Sequence, residues 1–240
     1  MASVSWKNNI SGTWATAANW STGIVPGPND DVTIATATPQ TITYAANTDS
    51  ILSLYMTSGT LAMTGGALSI LGNATIAAAV TESGATTLQF AGASASISGN
   101  VTQTSGTIND ALGWLHLSGT ANSFSGTLSG AAVEFAYGAD TLAAGMVLNV
   151  AHVLVTSANV TLGQNFLQTG IWSQTGGSVA LGGHTLTVSG VANLDGGVVN
   201  GAGTLGVQRQ GRDHRPVARR QRRAEQQRLA DGERHLVSGL

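Results

Sequence analysis

Residues 153–163 read VLVTSANVTLG, and this stretch shows the pattern that decides the fold. Val153 and Val155 stand two positions apart, as do Val160 and Leu162, and the polar residues Thr, Ser and Asn lie between the two pairs. Apolar residues at every second position indicate a β-strand with one buried face. Short strands of this kind, separated by turn residues, predict an all-β fold.

The same pattern recurs from about residue 40 to residue 207, for example in TITY, GGALSILG, TTLQFAG, AVEFAYG and GGHTLTVSG. Its repetition is degenerate and predicts a β-solenoid, in which each coil makes the same contacts with the next. With about 20 residues per coil, this part would hold roughly eight coils. The alternative is an antiparallel β-sandwich, which would have fewer and longer strands and more large aromatic residues.

The first 39 residues differ from the repeats because three of the five tryptophans lie there. Large rings gathered at one end of such a chain predict a cap over the open end of the core. The prolines and acidic residues of IVPGPNDDV predict a turn that leads into a strand. The predicted organisation is a cap over 1–39, solenoid repeats over 40–207 and a separate tail over 208–240. The predicted cap residues are Trp6, Trp14, Trp20, Pro26 and Pro28.

The first part of the chain resembles the N-terminal region of large bacterial autotransporter-like and adhesin-like surface proteins with β-strand repeats. The resemblance lies in the opening GTW…AANWSTGIVPGPNDDVTI and in the repeats that follow it, such as GTLAMTGGALSILG. The resemblance covers about residues 1–207, and the Trp/Pro/Asp-Asp opening is its most specific part. It implies a right-handed parallel β-helix that serves as an extracellular stalk or adhesive surface.

The composition excludes several kinds of site. The sequence has no cysteine, which excludes disulfides and thiolate-based metal or catalytic sites. The opening MASVSWKNNISGTW predicts no Sec-type signal peptide, and no apolar run of about 18 residues predicts a transmembrane helix. Lys7 is the only lysine or arginine before residue 209, against eight acidic residues in the same part. A lyase that acts on acidic sugars needs a cation at its site, so the repeats argue against one.

Two carbohydrate-related alternatives remain. A glycosidase needs two carboxylates about 5 to 10 Å apart, and Glu134 with Asp140 is the candidate pair. The same predicted sugar site would include Asp110, Trp114 and Tyr137. Isolated acids also occur at solvated corners, where Asp stabilises turns, and this interpretation is favoured. A carbohydrate-binding module without catalysis would instead use Trp114 and Trp172 as glycan contacts.

Metal sites are weakly indicated. Asp30 and Asp31, with Asn29, offer oxygen ligands for calcium. Adjacent strand residues point to opposite faces, however, so a role in the turn and strand start is favoured. Three histidines about 30 residues apart do not predict a shared metal site, and no cofactor is predicted. They are His116, His152 and His184.

Residues 208–240 contain nine arginines and no threonine, asparagine or aromatic residue. One interpretation is a basic arm that binds nucleic acid or anionic lipid, and another is a helix over 218–230 that docks on the solenoid. The third is an out-of-frame translation that begins directly after GAGTLGV. The third is favoured, which predicts a chain truncated by a frameshift and argues against nucleic acid as a partner.

These observations predict a structural function. The chain is expected to be an adhesin-like or autotransporter-like passenger segment without catalysis, secreted or exposed at the cell surface. The expected partners are a host or environmental glycan or surface and, through the exposed end of the solenoid, another copy of the chain. The alternatives are a β-helical enzyme that acts on polysaccharide and a carbohydrate-binding module.

Overall fold

The structure, a computed structural model, describes residues 2–7, 9–45 and 47–208, and these residues form stacked parallel β-strands. The predicted tail, from residue 209 onward, lies outside the described residues. The strands are β1 Ala2–Ser5, β2 Gly12–Thr13, β3 Asp30–Ile34, β4 Thr41–Tyr44, β5 Thr48–Ile51, β6 Ser53–Met56, β7 Thr60–Met63, β8 Gly66–Ile70, β9 Ala74–Ile76, β10 Ala79–Glu82, β11 Thr86–Phe90, β12 Ser94–Ile97, β13 Val101–Gln103, β14 Thr107–Leu117, β15 Ala121–Phe124, β16 Thr127–Phe135, β17 Ala139–Leu142, β18 Val147–Val155, β19 Asn159–Leu162, β20 Phe166–Gln168, β21 Ile171–Ala180, β22 Thr185–Val188, β23 Val191–Asn200 and β24 Thr204–Val207.

The strands occupy three faces. Face A contains β1, β3, β6, β9 and β12, then the second halves of β14, β16 and β18 and the first halves of β21 and β23. Face B contains β2, β4, β7, β10, β13, β15, β17 and β19 and the second halves of β21 and β23. Face C contains β5, β8, β11 and the first halves of β14, β16 and β18, and β20, β22 and β24 continue the coils as a separate three-stranded ladder.

The chain is therefore an all-β parallel solenoid, as predicted, and its coils repeat every 18 to 22 residues. Along face A, Val32 stacks on Leu54, then on Ala74, Ala95, Leu115, Val133, Val153, Trp172 and Ala192. Nine strands of face A from β3 to β23 mark nine coils. The first coil begins at Asp30, which is before the predicted boundary at residue 40. The antiparallel sandwich alternative is wrong, because every pairing between these strands is parallel.

The alternation seen in the sequence sets which side chains form the core. In β19 Val160 and Leu162 point inward and are buried, whereas Asn159 and Thr161 face solvent. Corners bring the backbones of neighbouring coils close together. Gly66 has φ of 79°, and a Cβ there would lie 2.0 Å from the carbonyl oxygen of Asn47 in the preceding coil. This corner requires glycine.

The tryptophans of the N-terminal segment close the first coil, which confirms the predicted cap. Trp14 and Trp20 are fully buried and meet edge to face at 4.7 Å, and the Nε1 of Trp20 donates to the Trp14 carbonyl at 2.7 Å. Trp6 packs edge to face on Trp20 at 4.9 Å. A 3₁₀ turn, Ala17–Asn19, connects these rings. Burial of three indole rings replaces the contacts that another coil would make.

Proline has different surroundings at its two positions before β3. Pro26 is buried and Pro28 is exposed. The Asp30 carboxylate accepts a hydrogen bond from the Gly27 amide at 2.8 Å, which closes the turn between the cap and β3.

Candidate functional site

Four side chains on the outside of face A form a cluster, here called the outer cluster: Trp114, His116, Glu134 and His152. Strand alternation places them there, because Leu115 in β14 points into the core. Stacking then brings the coils together, since His116 is the register partner of Glu134. Trp114 and His152 lie two coils apart, with Ala132 between them in the register.

The outer cluster is held by direct contacts. The Trp114 ring meets the His152 ring edge to face, with centroids 4.8 Å apart, and stacks beside His116 at 6.4 Å. The Nδ1 atom of His116 lies 2.5 Å from a carboxylate oxygen of Glu134. The other oxygen of Glu134 accepts a hydrogen bond from the Thr156 hydroxyl at 3.0 Å. Both carboxylate oxygens are therefore engaged, and the indole of Trp114 has a fixed neighbour on one side.

A hydrogen-bond chain positions His152. Burial lowers the pKa of His152, which favours the neutral imidazole. Its Nε2 atom lies 3.0 Å from the Ser173 hydroxyl, and the side-chain amide of Asn193 donates to that hydroxyl at 3.2 Å. Ser173 is only 7% exposed, so its oxygen is closed to an approaching substrate. The contact therefore orients the histidine and does not present a nucleophile.

An open groove of about 650 Å³ lies beside the outer cluster, at the corner where face C turns into face A. Its polar column comes from outward residues in three successive coils, because Asn109, Ser129 and Asn149 are register partners. Ala151, the residue before His152, also lines the groove, as do Thr169 and Gly170. The groove therefore reaches the residue that directly precedes His152 of the outer cluster.

A protrusion of β14 borders this corner. Three residues, 111–113, stand opposite a single residue of β16, because Asp110 pairs with Gly130 and Trp114 with Ala132. Leu112 at its tip is 73% exposed. The buried Asp110 carboxylate accepts a hydrogen bond from the Gly113 amide at 2.9 Å and holds the protrusion in place. Burial raises the pKa of Asp110.

A second group of polar residues lies inside the solenoid. Glu82 occupies an inward position of face B between Met63 and Gln103, and it is 1% exposed. The Thr86 hydroxyl and the Gln103 amide each donate to its carboxylate at 2.8 Å. Burial outweighs these donors and raises the pKa of Glu82 to about 7.

Asn122 and Asp140 form a similar pair in the neighbouring column of face B. The Asn122 amide donates to one Asp140 oxygen at 2.7 Å, and its carbonyl accepts from the Val101 amide at 2.8 Å. Among the described residues the other Asp140 oxygen has no hydrogen-bond partner. Burial raises the pKa of Asp140 to about 7. Both buried carboxyls are poised to hold a proton near neutral pH.

The structure separates the residues of the predicted glycosidase site. Glu134 lies outside on face A, whereas Asp140 is fully buried inside face B. Asp110 also points inward and is 1% exposed. Tyr137 is 58% exposed but lies at the corner between faces A and B, away from the groove corner. None of the predicted set lines the groove, although Trp114 and Glu134 both belong to the outer cluster, and the carboxylates share no cleft.

The prediction that Trp172 contacts a glycan is wrong. Trp172 is fully buried in the core, because it continues the inward column that contains Val153. A buried ring cannot stack on a sugar from solvent. Trp114 is the aromatic residue of that predicted pair that reaches the surface.

Asp30 and Asp31 are used in structural hydrogen bonds. Asp30 accepts from the Gly27 amide, and Asp31 accepts from the Ser53 hydroxyl at 2.5 Å.

His116 and His152 share contacts with Trp114, whereas His184 lies in the turn before β22. Within the part of the chain that the structure describes, no three His, Cys, Asp or Glu side chains are grouped to hold a metal ion.

Sequence reasoning missed the polar column of the groove, although the sequence carries a signal for it. TINDA, TLSGA and VLNVA begin at residues 107, 127 and 147, so their third residues recur every 20 positions. This interval equals one coil, which places Asn109, Ser129 and Asn149 above one another.

The fold defines the class of this protein as a parallel β-solenoid with an N-terminal tryptophan cap. Comparisons with protein-family profiles, with curated proteins and with solved structures give no match. Among the described residues, no helix is both long enough and apolar enough to span a bilayer.

Proposed function

We propose that this chain is a structural, adhesin-like or autotransporter-like passenger segment that is exposed at the cell surface or secreted. The observation that carries the proposal is the uninterrupted stack of coils from Asp30 to Val207. A solenoid extends along one axis and presents long outer surfaces, which suits a stalk or an adhesive surface. At about 4.8 Å per coil, nine coils extend roughly 40 Å.

The outward side chains support an extracellular role. Face B presents mostly hydroxyl, amide and methyl groups, as in the register column Thr81, Thr102, Ser123, Thr141 and Thr161. The described residues contain one lysine and no arginine. A polar surface of low charge limits electrostatic attraction to nucleic acids. The sequence resemblance to bacterial surface proteins points in the same direction.

Surface display tests the adhesive role. The chain is fused to an unrelated outer-membrane anchor on non-adherent bacteria, and the cells retained on glass and on polysaccharide-coated surfaces under flow are counted. We expect retention several-fold above cells that display the anchor alone. Retention equal to the anchor-only cells on every surface would contradict the adhesin-like function.

An assay for polysaccharide hydrolysis by the purified chain distinguishes this function from the enzymatic alternative. Because Glu134 and Asp140 lie on different sides of the coil wall, we expect no release of reducing sugars from neutral or acidic polysaccharides. Release that is lost in Glu134→Gln would establish the polysaccharide-acting enzyme instead.

The last described coil supports a second proposal, that the chain associates with another copy of itself at this end. Leu194 and Val207 continue inward columns but are 44% and 45% exposed, whereas Val188, the register partner of Val207, is fully buried. Exposed core positions at a strand edge favour pairing with another chain. We also propose that the sequence after residue 207 is an out-of-frame translation, because its composition changes there from Gly/Thr/Ser-rich repeats to a segment with nine arginines. Translation of the other two reading frames from codon 206 should restore Gly/Thr/Ser-rich repeats.

Sedimentation velocity tests the self-association. We expect the wild-type chain to form dimers as its concentration rises, and Leu194→Lys with Val207→Lys to shift it toward monomer. Exposed Val147→Lys, in a middle coil, is the matched control. A wild-type chain that stays monomeric at all concentrations, or dimers that persist in the double variant, would refute the proposal.

A further inference from the structure

The groove at the corner of faces C and A is an open, concave surface with a polar lining. It repeats one coil geometry, because Asn109, Ser129 and Asn149 project from successive coils about 4.8 Å apart. Two amides and a hydroxyl supply donors and acceptors in a row. A row of equivalent polar groups suits a linear polymer better than a single compact molecule.

An aromatic platform stands beside this row. Trp114 is the only tryptophan of the chain that is not buried, and its ring is braced by His152, which directly follows the groove residue Ala151. The Ser173 hydroxyl contacts His152 and accepts a hydrogen bond from the Asn193 amide, and this chain holds His152 in turn. A flat ring that is held before the ligand arrives lowers the entropy cost of binding.

Charge restricts the class of ligand. Lys7, far along the chain in the cap, is the only lysine or arginine among the described residues, and the outer cluster contributes the carboxylate of Glu134. Burial lowers the pKa of His152 and so favours its neutral form, and His116 is paired with Glu134. Among the described residues, no lysine or arginine beside the groove would compensate a row of sulfates or uronates.

We propose that this groove binds a neutral oligosaccharide chain, with the Trp114 ring stacked on the apolar face of one sugar and Asn109, Ser129 and Asn149 bonded to hydroxyls of the following sugars. Sugars combine C–H faces with hydroxyl edges, which matches an aromatic surface beside amides. The proposal deepens the adhesin-like function by naming the ligand class, and it rests on that function only for the source of the glycan.

Calorimetric titration of the purified chain tests the proposal with defined probes. These are hexasaccharides of β-1,4-linked glucose, xylose and N-acetylglucosamine, with hexagalacturonate as the acidic comparison. We expect at least one neutral probe to bind with a dissociation constant of about 10 μM to 1 mM. We expect hexagalacturonate to bind at least about tenfold more weakly.

Three variants locate the binding. Trp114→Ala should weaken binding about tenfold or more because it removes the stacking surface. Asn149→Ala should weaken it about three- to tenfold through one lost hydrogen bond. Tyr137→Ala is the matched control, because Tyr137 is also exposed but lies at the opposite corner of the same coils. It should bind as the wild type does. Far-UV circular dichroism confirms that each variant is folded.

Fluorescence gives an independent readout. Since Trp6, Trp14, Trp20 and Trp172 are buried, acrylamide should quench mainly the emission of Trp114, and a bound hexasaccharide should protect it.

The proposal is overturned if no neutral probe binds the folded chain at about 10 mM. It is also overturned if Trp114→Ala binds like the wild type, or if hexagalacturonate binds best. If cells that display Trp114→Ala are still retained on the surfaces, the proposed glycan site is contradicted and the adhesin-like function stands. If the purified chain binds the hexasaccharide but cells are not retained, the glycan site stands and the adhesin-like function is contradicted.

Discussion

The free energy of unfolding should fall as the pH rises from about 4 to about 8, by about 3 kcal/mol for Glu82 and about 4 kcal/mol for Asp140. Both carboxyls are buried, and burial raises the pKa of each to about 7. Between the unfolded and folded pKa values the folded chain keeps protons that the unfolded chain has lost. The stabilisation is therefore complete below the unfolded pKa and is lost as the pH rises through the folded pKa.

The neighbours of these two groups support this sign. Glu82 faces the Thr86 hydroxyl and the Gln103 amide, and Asp140 faces the Asn122 amide, so neither carboxyl has a cationic partner among the described residues. Neutral donors lower the pKa only in part, and burial is the larger effect on both groups. A carboxylate without a counter-ion in the core opposes folding.

Equilibrium denaturation at pH 5 and pH 8 measures this effect. Glu82→Gln and Asp140→Asn keep the shape of each side chain and remove its titration, so each should be more stable than the wild type at pH 8 and should flatten the pH dependence. Asp195→Asn, at an exposed carboxyl in the last coil, should leave the dependence unchanged. Equal wild-type stability at both pH values, or higher stability at pH 8, would contradict the assignment.

The fold could be predicted from the sequence because the alternation of apolar and polar residues and the approximate coil length are local properties. Val160 and Leu162 in NVTL already mark one inward face, and three tryptophans near the N-terminus mark the cap. Burial of small aliphatic side chains in repeated columns requires only that this alternation persist. These features hold whatever the register between the coils.

The candidate site required that register, which local patterns do not supply. Coils vary from 18 to 22 residues, so the partner of a residue in the next coil cannot be counted from a fixed interval. Glu134 and Asp140 are close in sequence, yet a corner lies between them and their side chains point to opposite sides. Conversely, Trp114 and His152 are 38 positions apart and touch.

The alternation of inward and outward side chains along a strand explains the wrong prediction for Trp172 and the inward position of Glu82, which was not predicted. Trp172 shares the inward column of Val153, so its large ring belongs to the core although nothing in IWSQ alone distinguishes the two faces. In AVTE, by contrast, Glu82 stands two residues after the apolar Val80. That spacing does indicate an inward carboxyl, and the structure places it inside.

In this solenoid, residues about one coil apart stack in register, and those on the outside of face C line a single groove. The sequence contains no cysteine, so an introduced pair reports on this directly. Asn109 and Ser129 are register partners on the outside of face C. Their Cα atoms should lie about 4.8 Å apart, within the range of about 4.4 to 6.8 Å that a disulfide spans. Asn149, the next partner in the column, lies two coils from Asn109 and beyond that range.

Mild oxidation of the folded chain, at a dilution that excludes intermolecular bonds, is the most direct measurement, with free thiols and peptide masses as the readout. We predict that Asn109→Cys with Ser129→Cys forms an internal disulfide in most molecules and that Asn109→Cys with Asn149→Cys does not. Free thiols in the first variant, or a disulfide formed equally well in the second, would contradict the stacked coils and the groove built on them.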